Sequence, residues 1–315
     1  MNPSRRTYPL AGFVLVLLAV YLLASALGVI PPGVQDLINR AWPALLVLAG
    51  LSILLRGRVP LSGLVALGGA LAVTAVIGVV AYQSLASQPA SGTQQAINQA
   101  ISTDLSLLRV RLDLNTAEVN VISGLAPDSV KGQFTGSPAN SIAVSYEEAA
   151  DRSATLTLTE TRPDGIPALD QLGLGVLELE LPPDVPLDVE YVGSEGDATF
   201  NLNDVALERL NIDLASGDLV VTLPNYQPVL VPAGESNGTL TASAGNLALF
   251  IPQSVAARLE LNRGGSGIEP QFDPAQFNYL VGDVLESRTF DSAPFALEYT
   301  LNVPRGQIRV ESLQS

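Results

Sequence analysis

IDLASGDLVVTLP (Ile212–Pro224) and LTASAGNLALFIP (Leu240–Pro252) align without a gap. Each holds a glycine, then apolar residues at the second, fourth and sixth positions after it, then a closing proline. The same unit occurs at Gly175–Pro182 (GVLELELP), Gly196–Asn203 (GDATFNLN), Gly217–Pro224 (GDLVVTLP) and Gly245–Pro252 (GNLALFIP), with glycines 21, 21 and 28 residues apart. Alternation of apolar and polar residues predicts half-buried strands. A recurrence in the twenties predicts a β-solenoid with one coil per repeat. The glycine allows the bend before each strand, and the proline ends ladder bonding after it. Leu179, Phe200, Val221 and Leu249 then share a buried face, while Glu178, Thr199, Val220 and Ala248 face outward. The stack is expected in chain order, from Gly175 to Pro252. A weaker copy at Thr116–Ser123 precedes it, and Ala296–Pro304 caps its end. A β-sandwich with similar strands is the alternative fold.

The chain before these repeats is different material. Residues 1–82 hold Arg5, Arg6, Arg40, Arg56 and Arg58 against Asp36, a net +4; residues 83–315 hold 11 basic and 30 acidic residues, a net −19. Three apolar runs fill the first part: Pro9–Ile30, Trp42–Leu55 and Leu61–Tyr82. The first and third are 22 residues each, about 33 Å as helices against a hydrocarbon core of about 30 Å. The second is 14 residues and spans when Leu37–Ala41 join it and Arg40 snorkels. Tyr8, Trp42 and Tyr82 stand where interfacial anchors belong. The expectation is three transmembrane helices over residues 1–82, a flexible linker over 83–104 with a short helix at Gln94–Ile101, and an acidic all-β domain over 105–315. With Arg5, Arg6, Arg56 and Arg58 in the cytoplasm, the β domain is expected outside the cell membrane. If the second run does not span, the domain is inside.

The third run places Ala66, Ala70, Thr74 and Gly78 on one helical stripe. Small residues let helices approach closely in lipid, so the stripe packs the anchor or meets a partner. A homo-oligomer is compatible with it.

Composition narrows the chemistry. Cysteine and histidine are absent, and Lys131 is the single lysine. Thiol nucleophiles, thiolate metal sites and imidazole bases are therefore excluded. An acidic domain repels phosphate backbones, which argues against nucleic acid as partner. No cofactor motif is present. Gly264-Gly-Ser-Gly267 lacks the helix and lysine of a phosphate cradle and reads as a loop. Asp197, Asp218 and Asn246 recur at one position of successive coils, either as turn residues or as stacked oxygen ligands for Ca²⁺. Glu178 and Glu180 read as a solvated edge, not a glycosidase pair. Asn237-Gly-Thr239 matches the glycosylation triplet.

Together, these features resemble the LiaF-type cell-envelope stress proteins of bacteria. The residues that carry the resemblance are Gly12 in the first apolar run, Trp42, Pro43 and Gly50 in the second, and the coil signature of Gly217, Asp218, Leu223 and Pro224. The resemblance implies a toast-rack, adhesin-like β domain on a multi-pass anchor, and a membrane partner such as a sensor histidine kinase. The function expected is non-enzymatic: regulation or scaffolding of an envelope-stress system by protein contact. The alternatives are an adhesive or structural module on cell-wall polymers and, more remotely, an enzyme using carboxylates alone.

Overall fold

The computed structural model describes residues 92–313, apart from 138–139, 162–172, 233, 265–267 and 294. The chain divides into Met1–Ser87 and Gln88–Ser315, and all described residues belong to the second unit. The three apolar runs and the Ala66, Ala70, Thr74 and Gly78 stripe lie outside the described residues. Among the described residues no helix is long and apolar enough to cross a membrane.

The described chain is all-β and forms two sheets. The strands of the first, sheet I, are β4 (Ser141–Glu148), β5 (Ser153–Thr161), the first half of β2 (Leu107–Ser123), β7 (Leu187–Glu195), β9 (Leu207–Leu214), β11 (Gly238–Ala242), β17 (Ala296–Asn302), β13 (Ala256–Asn262), β16 (Val284–Ser287) and β15 (Phe277–Leu280), in that spatial order. Sheet II runs β1 (Thr93–Ala100), β3 (Ser129–Gly136), β6 (Gly175–Leu181), the second half of β2, β8 (Ala198–Asn201), β10 (Leu219–Thr222), β12 (Leu247–Pro252), β18 (Ile308–Leu313) and β14 (Gln271–Phe272). From β5 to β13 and from β6 to β14 every neighbouring pair is parallel. The chain passes from sheet I to sheet II within each coil, then returns.

The inner faces stack in register. Leu219 of β10 stands opposite Ala198 and Leu247, and Val221 opposite Phe200 and Leu249. Leu179, Phe200, Val221 and Leu249 are all fully buried. Glu178 and Thr199 are exposed, and Val220 and Ala248 half-buried. Sheet I supplies the facing column Leu158, Leu112, Tyr191, Ile212, Leu240, Leu301 and Leu261. These form one continuous apolar core.

Stack order departs from chain order at both ends. The second half of β2, which contains the weak copy Thr116–Ser123, lies between β6 and β8 and is not a preceding coil. Likewise Ala296–Pro304 is no cap: β17 and β18 lie between the β11/β12 and β13/β14 coils. The physical reason is visible in the residues. β2 is 17 residues with neither Pro nor Gly, so its backbone can bond on both edges across both sheets. β18 is likewise free of proline, whereas Pro270 and Pro274 confine β14 to two residues and an edge position.

The linker reading is also corrected. Thr93–Ala100 is a strand and not a helix or tether; β1 pairs antiparallel with β3 along its whole length and buries Ile97. Its glutamines, alanines and asparagine accept a solvated outer face, and backbone pairing overrides their modest helical preference. Antiparallel strands end sheet I on both sides, β4 on β5 and β16 and β15 beyond β13, and end sheet II on one side, β3 on β6, while the other edge of sheet II is the short parallel β14. Such strands shield the open parallel edges.

Candidate functional site

The corners between the sheets are where the sequence repeats concentrate. Gly196 has φ +122° and Gly217 φ +133°, the region that favours glycine. Each packs on the coil beside it: a Cβ on Gly217 would collide with the carbonyl of Gly196, and one on Gly245 with that of Gly217. The residues after these glycines form a column of a different kind. Asp197 Oδ1 accepts the Asp218 N–H at 2.8 Å. Asp218 Oδ1 accepts the Asn246 N–H at 2.8 Å and its Nδ2–H at 3.1 Å. Asn246 Oδ1 accepts the Gln307 N–H at 3.0 Å. These side chains link each coil to the next through backbone donors, which gives the recurrence a structural cause. Among the described residues no group of three or more His, Cys, Asp or Glu side chains is placed to hold a metal ion.

The other sequence candidates are separated in space. Glu178 and Glu180 project from the exposed side of β6, opposite Gln133 and Lys131 of β3. Asn237 is buried, at 4% exposure, and its Oδ1 accepts the Glu298 N–H at 2.8 Å, so the folded domain does not present it as a glycan acceptor. Gly264 lies against Pro304.

Two buried carboxylates were not anticipated. Glu160, 4% exposed, accepts the N–H groups of Asn115 (2.8 Å) and Thr116 (2.9 Å) and the Asn140 Nδ2–H (3.1 Å). It secures the point where β2 turns from sheet I to sheet II. Glu208, 2% exposed, accepts the Tyr226 hydroxyl (2.8 Å) and the N–H groups of Val229 (3.0 Å) and Leu230 (2.8 Å). Burial, and then the hydrogen bond to Glu208, pushes the Tyr226 hydroxyl up to about 12. Glu208 thereby holds the longer β10–β11 connection, which extends one repeat to 28 residues and displays Val229 and Leu230 at 70% and 51% exposure. A signal for both existed in the sequence. Ala154, Leu156 and Leu158 predict an inward position at 160, and Leu210, Ile212 and Leu214 predict one at 208. A carboxylate on a core-facing row must be satisfied by donors.

The polar groups buried in the described residues serve the architecture. Buried acids accept backbone donors, and burial raises the Tyr191 and Tyr299 hydroxyls well above their ordinary range. The open groove beside β14 and β18, about 410 Å³, is lined by Gln271, Asp273, Arg309, Glu311 and Ser312 among others.

Comparison with known proteins agrees with this architecture. Residues 86–234 match the N-terminal domain of toast_rack, DUF2154, and residues 10–54 match the LiaI-LiaF-like transmembrane region. Neither family is an enzyme family. The comparison with curated proteins returned no match. Among solved structures, a proposed cell adhesion protein from Clostridium sporogenes aligns over 70% of this chain and 100% of its own, with TM-score 0.56 and 11% identity. At that identity the likeness concerns the fold. A proposed adhesin from Bacteroides fragilis aligns over 71% of this chain and 99% of its own, with TM-score 0.27 and 11% identity. The chain thus joins a LiaI-LiaF-like transmembrane region to a toast-rack N-terminal domain, in an envelope-related, membrane-associated protein.

Proposed function

We propose that this protein is a multi-pass, non-enzymatic component of the bacterial cell envelope that tunes a membrane partner, which its resemblance implies is a sensor histidine kinase of envelope stress. The observation that carries this reading is the joining of a LiaI-LiaF-like transmembrane region to a toast-rack domain. The buried acids of that domain hold its own backbone. In this reading the first 82 residues form three spans, the β domain is a short solenoid outside the cell, and the stripe of Ala66, Ala70, Thr74 and Gly78 meets the partner helix. The parallel, in-register coils support the solenoid, and arginine placement supports the orientation. Material bound outside would shift the population of anchor states that the partner meets.

The test replaces Ala70 and Gly78 with leucine, which blocks close helix approach and preserves insertion. Crosslinking in native membranes should show loss of a partner, and the basal stress response should change. Normal insertion with every partner retained and an unchanged response would remove the basis for regulation. The second reading, a module adhering to wall polymers, draws on the fold shared with the Clostridium sporogenes protein. Binding of purified wall polymer to the protein, with no change in stress signalling, would favour it.

A further inference from the structure

The wall of the β domain is incompletely paired where its first strands come together. Among the described residues β1 ends sheet II and pairs with β3 alone, and β4 ends sheet I and pairs with β5 alone. The outer edges of these two strands face each other. Gln95 of β1 meets Ile142 of β4, and Ser102, just past β1, meets Glu148 at the far end of β4. No strand among the described residues pairs with either edge along this seam.

The ladder shows which groups face it. The Ala149 N–H donates to the Ser153 carbonyl, so the odd-numbered residues of β4 bond to β5. Ile142, Val144, Tyr146 and Glu148 turn their N–H and C=O groups into the seam. The Ile101 N–H donates to the Asp128 carbonyl, and by the same alternation Ala96 and Asn98 of β1 face the seam from the other side.

At Ile142 a side chain occupies the position of a missing strand. Gln95 Nε2–H donates to the Ile142 carbonyl at 2.6 Å, and Gln95 Oε1 accepts the Ile142 N–H at 3.0 Å. This is the two-bond pattern of a β-ladder, supplied by a carboxamide. Further along, Val144 and Tyr146 have no such partner among the described residues. The Val144 side chain lies on the same row as Ile142, yet it is 40% exposed where Ile142 is 3%. The seam thus offers unpaired backbone groups beside an apolar side chain open to solvent. Glu147 and Glu148 line it, in a domain of net charge −19 over residues 83–315.

We propose that this seam is a strand-acceptor site. An extended segment of a partner protein, with alternate apolar side chains and basic or uncharged residues between them, adds to β4 across Val144 and Tyr146. Backbone bonds provide the attachment, Val144 and Tyr146 receive the apolar side chains, and the acidic rim selects against acidic segments. This inference goes beyond the anchor reading and holds whichever partner the anchor meets.

The experiment uses the full-length protein in lipid nanodiscs. The probe is a synthetic peptide, acetyl-Lys-Val-Thr-Val-Thr-Lys-amide, at increasing concentration, read by hydrogen exchange and by titration. Residues 142–148 should become protected. A peptide N-methylated at alternate amides should bind about tenfold more weakly or worse, because strand addition needs those donors. A version with glutamates for lysines should also bind more weakly, by a margin that shrinks with salt. Val144→Pro removes a seam-facing N–H that β5 does not use, and should cause a similar loss. Gln95→Ala frees Ile142 and should extend protection to it. Equal binding by the N-methylated peptide, or no protection of residues 142–148, overturns the proposal. Protection that appears without peptide and grows with protein concentration assigns the seam to a second copy of this chain, and also overturns it.

Discussion

Substituting Val221 and Val220 in turn tests the coil register directly. Val221 has no exposed surface and stands between Phe200 and Leu249 in the inner column. Removing a buried valine forfeits about 1.5–3 kcal/mol of burial. An aspartate there adds several kcal/mol, either as an unpaired charge or as the cost of keeping it protonated. Val221→Asp should therefore cost about 5 kcal/mol or more, close to the whole stability of a domain at about 5–15 kcal/mol. Val220 lies one residue earlier, half-buried on the outer face between Thr199 and Ala248. Val220→Asp should cost less than about 1 kcal/mol. The assay is urea unfolding followed by far-ultraviolet circular dichroism on detergent-solubilised protein. Tryptophan fluorescence is the wrong probe, because the single tryptophan, Trp42, belongs to the anchor and not to the β domain. Equal losses from the two substitutions would refute the assignment of inner and outer faces.

Gly217→Ala should destabilise the domain by more than about 2 kcal/mol, since a left-handed backbone and the Gly196 carbonyl both oppose the added methyl; Gly282→Ala, also at positive φ but in open space, should cost about 1 kcal/mol, and thermal unfolding separates them. Glu208→Gln should loosen the loop around Val229 and Leu230 at a cost of about 1–3 kcal/mol, seen as faster proteolysis there, because an amide N–H₂ would replace one of the carboxylate oxygens that face backbone donors. Tyr226 binds its proton more tightly folded than unfolded, so its contribution is complete below pH 10 and is lost as pH rises from 10 towards about 12; the melting temperature should fall across that window by more than it does in Tyr226→Phe. Asp218→Asn keeps the acceptor for the Asn246 N–H and should be nearly neutral, while Asp218→Ala should cost about 0.5–1.5 kcal/mol; a chelator should leave the melting temperature of the parent unchanged.

Much of the coil architecture was legible because two local signals agree. The alternation Leu219, Val221, Leu223 names an inner face, and Gly217 names the corner that precedes it. Both are properties of single coils, and each coil states them again. Stack order is a property between coils, and the apolar alternation within one coil does not encode it. The apolar rows of β2 and β18 fit several neighbours equally well, so their insertion follows from which strands can bond on two edges. The same distinction explains β1. Thr93–Ala100 has one buried apolar residue, Ile97, and its strand character comes from β3 rather than from its own pattern. Glu160 and Glu208 were hidden for another reason. An alternation rule that tracks apolar residues passes over the carboxylate that continues the row, although that residue is the informative one.

The placement of β1 has a consequence for the domain. This strand begins directly after the residues that connect it to the transmembrane region, and Gln95 is its third residue. Burial of Ile97 contributes about 2 kcal/mol, far less than an interior coil gains from columns on both sides. What else holds β1 in place is its ladder to β3, on a solvated face, and the Gln95 carboxamide on Ile142. Strands of this kind belong to the low end of local stability. The segment nearest the anchor in sequence is thus a weakly fastened part of the sheet, and it is also one wall of the seam. A displacement of β1 would withdraw Gln95 from Ile142 and lengthen the unpaired edge of β4 from three outward residues to four. Strand acceptance at β4 and the position of the chain entering β1 are therefore mechanically coupled, through the Gln95 carboxamide at one end of the seam and the Ser102–Glu148 contact at the other.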